Sequence, residues 1–131
     1  MIRIVVDANI VLSALLGGSA RFVLFDPRFE FATTQFTLAE VRWYLPKLAA
    51  RSDVPVGELE GALALLPLVV ESRRYYRRML PRARRMLRGI DPRDADVLAF
   101  YLTERTYLWS EDRDFERVRP PVRLLKTKDF F

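Results

Sequence analysis

Apolar residues along the chain come in two kinds of stretch, short nearly continuous runs and longer segments with helical spacing, and the two alternate. Ile2 to Val6 is a β-branched run interrupted only by Arg3, which suits a strand buried on both faces of a parallel sheet. Ile10 to Leu16 reads as a short helix stopped by Gly17-Gly18-Ser19, with a second helical piece over Ala20 to Phe25 and a turn at Asp26-Pro27. Phe29 to Thr33 is a short aromatic strand, and Thr34 is placed to cap a third helix. On that helix Val41, Tyr44, Leu45 and Leu48 have the i, i+3, i+4, i+7 spacing of a core-facing stripe, and Glu40 lies about 90° from its centre. Pro46 lacks a backbone donor, so a kink or break is expected near Leu45.

Asp53-Val54-Pro55 looks like a restart, with Asp53 or Val54 near the cap of a helix over Val56 to Leu66 that Pro67 closes. Leu68-Val69-Val70 is the third strand candidate. From Arg73 to Arg88 eight arginines crowd a stretch interrupted by Pro81, which reads as two amphipathic helices with Tyr75, Tyr76, Met79, Leu80, Met86 and Leu87 as the apolar face. Asp91-Pro92 has the cap and first-turn proline of a helix that turns Ala95, Leu98, Ala99 and Leu102 inward. Asp94 and Asp96 flank that stripe about 100° to either side, so periodicity does not choose between them. Thr106 to Ser110 is the next strand, running into Glu111, Asp112 and Asp114, and Val122 to Leu125 adds an edge strand before a charged tail.

Strands alternating with helices imply an α/β protein whose central, mainly parallel sheet of four to five strands has right-handed crossovers and all carboxyl ends on one edge. Ligands of open α/β sheets bind at that edge. Four acids converge there: Asp7 after the first strand, Glu40 in the first turns of the helix after the second, Asp94 at a helix start, and Asp112 after a later strand. The bland reading of Asp7 is a helix cap or a turn closed with Asn9. Gathered carboxylates repel one another unless protons or a cation offset the charge.

Composition narrows the chemistry. With 131 residues, 50% of them hydrophobic, the chain is read as one compact domain over residues 1–131. Cysteine and histidine are both absent, which removes disulfides, thiolate zinc sites, nucleophilic dyads and imidazole bases together. Oxygen ligands without nitrogen or sulfur favour Mg²⁺ or Mn²⁺, ions that bind a phosphodiester, lower the pKa of water and stabilise a leaving oxygen. The net charge is +5, carried almost wholly by arginine, since Lys47, Lys126 and Lys128 are the only lysines. Arg77, Arg78, Arg84 and Arg85 are the candidate contacts to a polyanion, either a nucleic acid such as RNA or an acidic protein partner, against the alternative of a merely solvated face. No apolar stretch approaches a membrane span and no signal-peptide pattern opens the chain, so the expected location is cytoplasmic with no membrane partner.

Four short stretches, in order, resemble the PIN-domain family, metal-dependent nucleases that include the VapC-like toxins of toxin-antitoxin pairs. They are Val5-Val6-Asp7-Ala8-Asn9-Ile10-Val11-Leu12-Ser13-Ala14-Leu15, Thr34 to Glu40 with its Leu-Ala-Glu ending, Asp91-Pro92-Arg93-Asp94-Ala95-Asp96-Val97-Leu98-Ala99, and Ser110-Glu111-Asp112-Arg113-Asp114-Phe115. The resemblance implies a three-layer α/β/α sandwich. It also implies that Asp7, Glu40, Asp94 and Asp112 are the catalytic, metal-binding acids, supported by Asn9 and Ser110, with Asp96 and Asp114 in reserve, and it prefers Asp94 over Asp96. The activity it implies is Mg²⁺- or Mn²⁺-dependent cleavage of single-stranded RNA by a metal-activated water, leaving a 5′-phosphate and a 3′-hydroxyl. The partners it implies are an RNA substrate, an antitoxin protein and a second copy of the chain. Two departures stand out: Ala8 occupies a place where the family usually has Thr or Ser, and the Arg73 to Arg88 segment is richer in arginine than the motifs require. A Mg²⁺-dependent phosphatase would want an acid where Asn9 stands. A non-catalytic RNA- or protein-binding module would use the acids only as caps.

Overall fold

The computed structural model describes residues 1–131. Its layers follow from the alternation of side chains along β1 (Ile2–Val6): Ile4 and Val6 enter one core, Val5 the other. With both faces covered, β1 occupies the middle of the sheet. It pairs in parallel with β2 (Phe29–Thr34) on one side and β4 (Tyr107–Trp109) on the other. β3 (Leu68–Glu71) lies outside β2 and β5 (Leu124–Leu125) outside β4, so the order is β3-β2-β1-β4-β5 and every pairing is parallel.

Helices α1 (Ala8–Leu15), α2 (Ala20–Leu24), α3 (Gln35–Ser52) and α4 (Val56–Leu65) cover the Ile4 and Val6 face. Helices α5 (Arg73–Tyr76), α6 (Leu80–Met86) and α7 (Ala95–Glu104) cover the Val5 face. The chain thus winds outward from β1 to β3 with its helices in one layer, then returns to β4, beside β1, with its helices in the other. Strand order reverses between β1 and β4, and a crevice opens beyond their carboxyl ends. The result is the three-layer α/β/α sandwich, with five strands.

Several local expectations change in the folded chain. α3 runs unbroken through Pro46, because Pro46 and Arg42, the residue whose carbonyl loses its partner, both face water. Asp53 does not open α4. It closes α3 in the left-handed conformation (φ 58°), which Asp tolerates better than most residues, and Pro55 precedes α4. Pro81 lies in the first turn of α6, where its missing N–H costs no hydrogen bond, so it starts a helix where an interruption was expected. A 3₁₀ turn over Arg77–Met79 joins α5 to α6.

α7 is buried from Ala95 through Tyr101, well beyond the single stripe its spacing suggests, since α5 and α6 pack over the side away from the sheet. The charged tail folds back as a 3₁₀ turn over Thr127–Phe130. Phe130 sits 4.7 Å, centroid to centroid, from Trp109, whose Nε1 donates to the Thr127 hydroxyl at 3.1 Å. No helix is long and apolar enough to cross a membrane.

Candidate metal centre

Asp7 ends β1 and caps α1, so the strand aims its carboxylate into the crevice and the helix start holds it there. Its Oδ1 accepts from the Ala8 amide at 2.8 Å, and its Oδ2 accepts from the Ser110 hydroxyl at 2.7 Å and the Asn9 side-chain amide at 3.2 Å. Asn9 also donates to Ser110 Oγ at 3.2 Å and accepts from the Glu111 amide, while Ser110 Oγ accepts from the Asp112 amide at 3.0 Å. This network ties the exits of β1 and β4 together. Asp112 in turn caps a 3₁₀ turn over Arg113–Glu116 by accepting from the Asp114 amide at 2.9 Å. Capping and site geometry are therefore compatible readings of the same aspartates.

Asp94 ends a 3₁₀ turn over Pro92–Asp94 that Asp91 caps, bringing a third carboxylate in from the α7 side. One carboxylate oxygen from each of Asp7, Asp94 and Asp112 lies within 4.8 Å of the other two. These three, with Glu40, Asn9 and Tyr44 among their neighbours, line a cleft of about 230 Å³.

Of the other acids, Asp53, Glu58, Glu60, Glu111, Glu116 and Asp129 make no ion pair but are exposed to water, while Glu30, Glu71 and Glu104 meet Arg3, Asp26 meets Arg28, Asp91 meets Arg93 and Asp96 meets Arg73. Asp7, Glu40, Asp94 and Asp112 have no such partner, in a chain with 22 basic residues. The charge shows in their protonation. Burial first, then the Asp7 and Asp112 charges, push the Asp94 carboxyl up to about 8. Burial and the Asp7 charge push Glu40 up to about 6, with Arg93 pulling the other way. Asp7, only 6% exposed, is raised by burial despite the hydrogen bonds from Ser110 and Ala8 that favour its charged form. Asp94 Oδ2 is buried without any hydrogen-bond partner.

The two aspartates that helical spacing leaves equivalent separate completely in space. Asp96, 2% exposed, takes a two-pronged bond from Arg73 (2.8 and 3.0 Å) and one from the Tyr76 hydroxyl (2.6 Å). Burial raises its carboxyl, but those bonds outweigh it and hold Asp96 below the usual carboxylate range. Asp114 lies 3.6 Å from Arg117 and does not line the cleft. Arg77, Arg78, Arg84 and Arg85 are all exposed without ion-pair partners, whereas Arg73 is consumed internally. Sequence reasoning missed Tyr44, which leaves its core stripe to line the cleft, and Arg93, which Asp91 holds at the rim by a 2.8 Å ion pair. The only sequence signal for Arg93 was its place two residues after the capping Asp91.

Fold and cleft define the class: a three-layer α/β/α protein with a doubly wound parallel sheet and an unpaired carboxylate cluster at the point where strand order reverses. The family model for the PIN domain matches residues 5–122, and the chain belongs to the PIN-domain family. Among solved structures it is similar to VapBC2 from Rickettsia felis, crystallised bound to a DNA fragment from its promoter, with a TM-score of 0.65, 17% identity, and coverage of 95% of this chain and 98% of that one. It is also similar to PAE2754 from Pyrobaculum aerophilum, with a TM-score of 0.64, 17% identity, and coverage of 98% and 92% respectively. At that identity the likeness is one of fold. No curated protein matches the sequence.

Proposed function

We propose that this chain is a Mg²⁺- or Mn²⁺-dependent endoribonuclease for single-stranded RNA, acting as the toxin of a toxin-antitoxin pair. The observation that carries the reading is the meeting of Asp7, Asp94 and Asp112 oxygens within 4.8 Å, with no arginine or lysine paired to any of them. The donor set fits a hard divalent ion: it is all oxygen, and the buried Oδ2 of Asp94 has no hydrogen-bond partner within the protein. Asp7, Asp94 and Asp112 would hold that ion, with Glu40 beside them. When bound, such an ion supplies positive charge that polarises a phosphodiester and lowers the pKa of water.

The remaining work belongs to the chain. Ser110 and Asn9 orient the Asp7 carboxylate and keep both its oxygens directed. Glu40 lines the cleft beside the three aspartates, where its carboxylate is placed to accept a proton from the attacking water. Arg77, Arg78, Arg84 and Arg85 offer unpaired guanidinium groups to the RNA backbone. Membership of the PIN-domain family and a fold shared with VapBC2 support an antitoxin partner, and assembly of the chain as a homodimer is part of the same proposal, read by sedimentation.

The test is RNA degradation with Mg²⁺, with Mn²⁺ and with chelator, comparing the chain with Asp7→Asn. Loss of about 100-fold or more in rate in the variant, and of all activity with chelator, is the expected result. Equal rates in the two proteins, or turnover of small phosphate esters in place of RNA, would remove the ribonuclease reading.

A further inference from the structure

α3 carries a second stripe besides its core-facing one. Glu40, Trp43, Tyr44 and Lys47 repeat at i, i+3, i+4 and i+7 and so share one side of the helix. Glu40 and Tyr44 line the acidic cleft, and the stripe extends that cleft outward into an adjoining hollow of about 240 Å³ lined by Glu40, Trp43, Tyr44 and Arg93. Trp43 is 72% exposed there, while the other tryptophan, Trp109, is fully buried. The Tyr44 ring meets Trp43 edge to face (centroids 5.1 Å apart, planes at 89°), and Lys47 Nζ lies 6.0 Å from the Trp43 ring centre and 5.8 Å from that of Tyr44. No core residue covers the indole, so packing does not explain it.

We propose that Trp43 is a stacking platform for an unpaired base of the RNA next to the bond that is cut, with Lys47 and Arg93 meeting the flanking phosphates. This rests on the ribonuclease reading above. A cluster of bare carboxylates repels a phosphodiester chain, so affinity for the strand has to come from beside the cleft. An aromatic face with a cation against it offers both stacking and charge to a single strand, and a base locked in a duplex cannot use it. Trp43 lies roughly 4.5 Å and Lys47 roughly 10 Å along the helix axis from Glu40, which places both within reach of neighbouring nucleotides.

The test uses tryptophan fluorescence, excited selectively over tyrosine, to which a ligand on the surface has access only at Trp43, since Trp109 is fully buried. The full chain carrying Asp7→Asn, which prevents cutting, is titrated in Mg²⁺ buffer with a single-stranded RNA oligonucleotide, an abasic strand of equal length, and an RNA duplex. Only the single-stranded RNA should quench the emission strongly. The abasic strand should bind about 5- to 150-fold more weakly, as should single-stranded RNA to the same chain with Trp43→Ala added, while Trp43→Phe keeps most of the affinity.

Equal affinity for RNA and the abasic strand overturns the proposal without requiring any Trp43 variant to fold. So does Trp43→Ala that binds RNA unchanged, including the case where it alters only the oligomeric state in sedimentation and so marks a protein contact. A wild-type chain that binds and quenches but never cleaves RNA would end the ribonuclease reading and leave the base platform standing.

Discussion

Replacing Asp94 by Asn isolates the electrostatic cost of assembling the carboxylate cluster. In the folded chain burial and the neighbouring aspartates push this carboxyl from 3.8 up to about 8. Below about pH 4 it is protonated in folded and unfolded chains alike and costs nothing. Between about pH 4 and 8 the unfolded chain releases the proton and the folded chain retains it, so the stability of the metal-free protein falls as pH rises and levels off above about 8. At about 1.4 kcal/mol per pH unit that span would amount to about 5–6 kcal/mol. Asp94 is only partly buried and its cleft admits water and salt, so about 1–2 kcal/mol is the magnitude expected in solution.

Asn has nearly the same shape and no charge. Metal-free Asp94→Asn should therefore match the wild type near pH 4 and exceed it by about 1–2 kcal/mol at pH 8, or about 3–8 °C in melting midpoint. A residual slope should remain, since Asp7 and Glu40 are raised as well. Mg²⁺ should reverse the order, raising the midpoint of the wild type more than that of the variant. Thermal denaturation followed by circular dichroism from about pH 4 to 9, with chelator and with Mg²⁺, measures both effects. A variant that tracks the wild type at every pH and gains as much from Mg²⁺ would refute the argument that these carboxylates share one field and one ion.

Ser110→Ala removes the 2.7 Å donor to Asp7 and the acceptor of the Asp112 amide. Mn²⁺ affinity by calorimetry should fall about 10- to 100-fold, and an unchanged affinity would mean that Asp7 is oriented by something else. Arg73→Met leaves the buried Asp96 with Tyr76 alone and should cost about 1–2 kcal/mol at neutral pH, the exposed half of Arg73 limiting the loss. Since Asp96 is held low, that stabilisation is present above its unfolded pKa and is lost in acid. The gap between variant and wild type in denaturant melts should therefore narrow as pH falls below about 4 and close once Asp96 is protonated in the folded chain as well, and a gap that stays constant through that range would point to packing. Replacing Arg77, Arg78, Arg84 and Arg85 together by Gln should flatten the dependence of RNA affinity on salt by about 0.7 in log–log slope for each phosphate no longer neutralised. An unaltered slope would leave those arginines as surface charge.

Much of the scaffold is legible in linear order. The Ile2–Val6 run specifies a strand buried on both faces, Thr34 and Asp91 announce their caps, and an acid at the end of a parallel strand points to the carboxyl edge of the sheet. These are local matters: they depend on side-chain shape, period and hydrogen bonds within one turn, all carried by neighbouring residues. Pro46 and Asp53 show where local rules mislead, because a lost hydrogen bond on a wetted helix face and a left-handed Asp are both inexpensive in this setting.

The identity of the partners is a different matter. Helical spacing makes Asp94 and Asp96 equivalent and the family resemblance prefers Asp94 without a physical reason, which comes from the docking of α5 against α7 that brings Arg73 and Tyr76 to Asp96 and leaves Asp94 unpaired. The same holds for Tyr44, Trp43 and Arg93, which meet because α3 and the turn before α7 approach from opposite layers. The sequence by itself determined most of the elements, the parallel sheet with its carboxyl ends on one edge, and which residues are acids. The tertiary structure alone decided which acids are left without a counter-charge, because that depends on through-space distances between segments up to a hundred residues apart, about which sequence spacing carries no information.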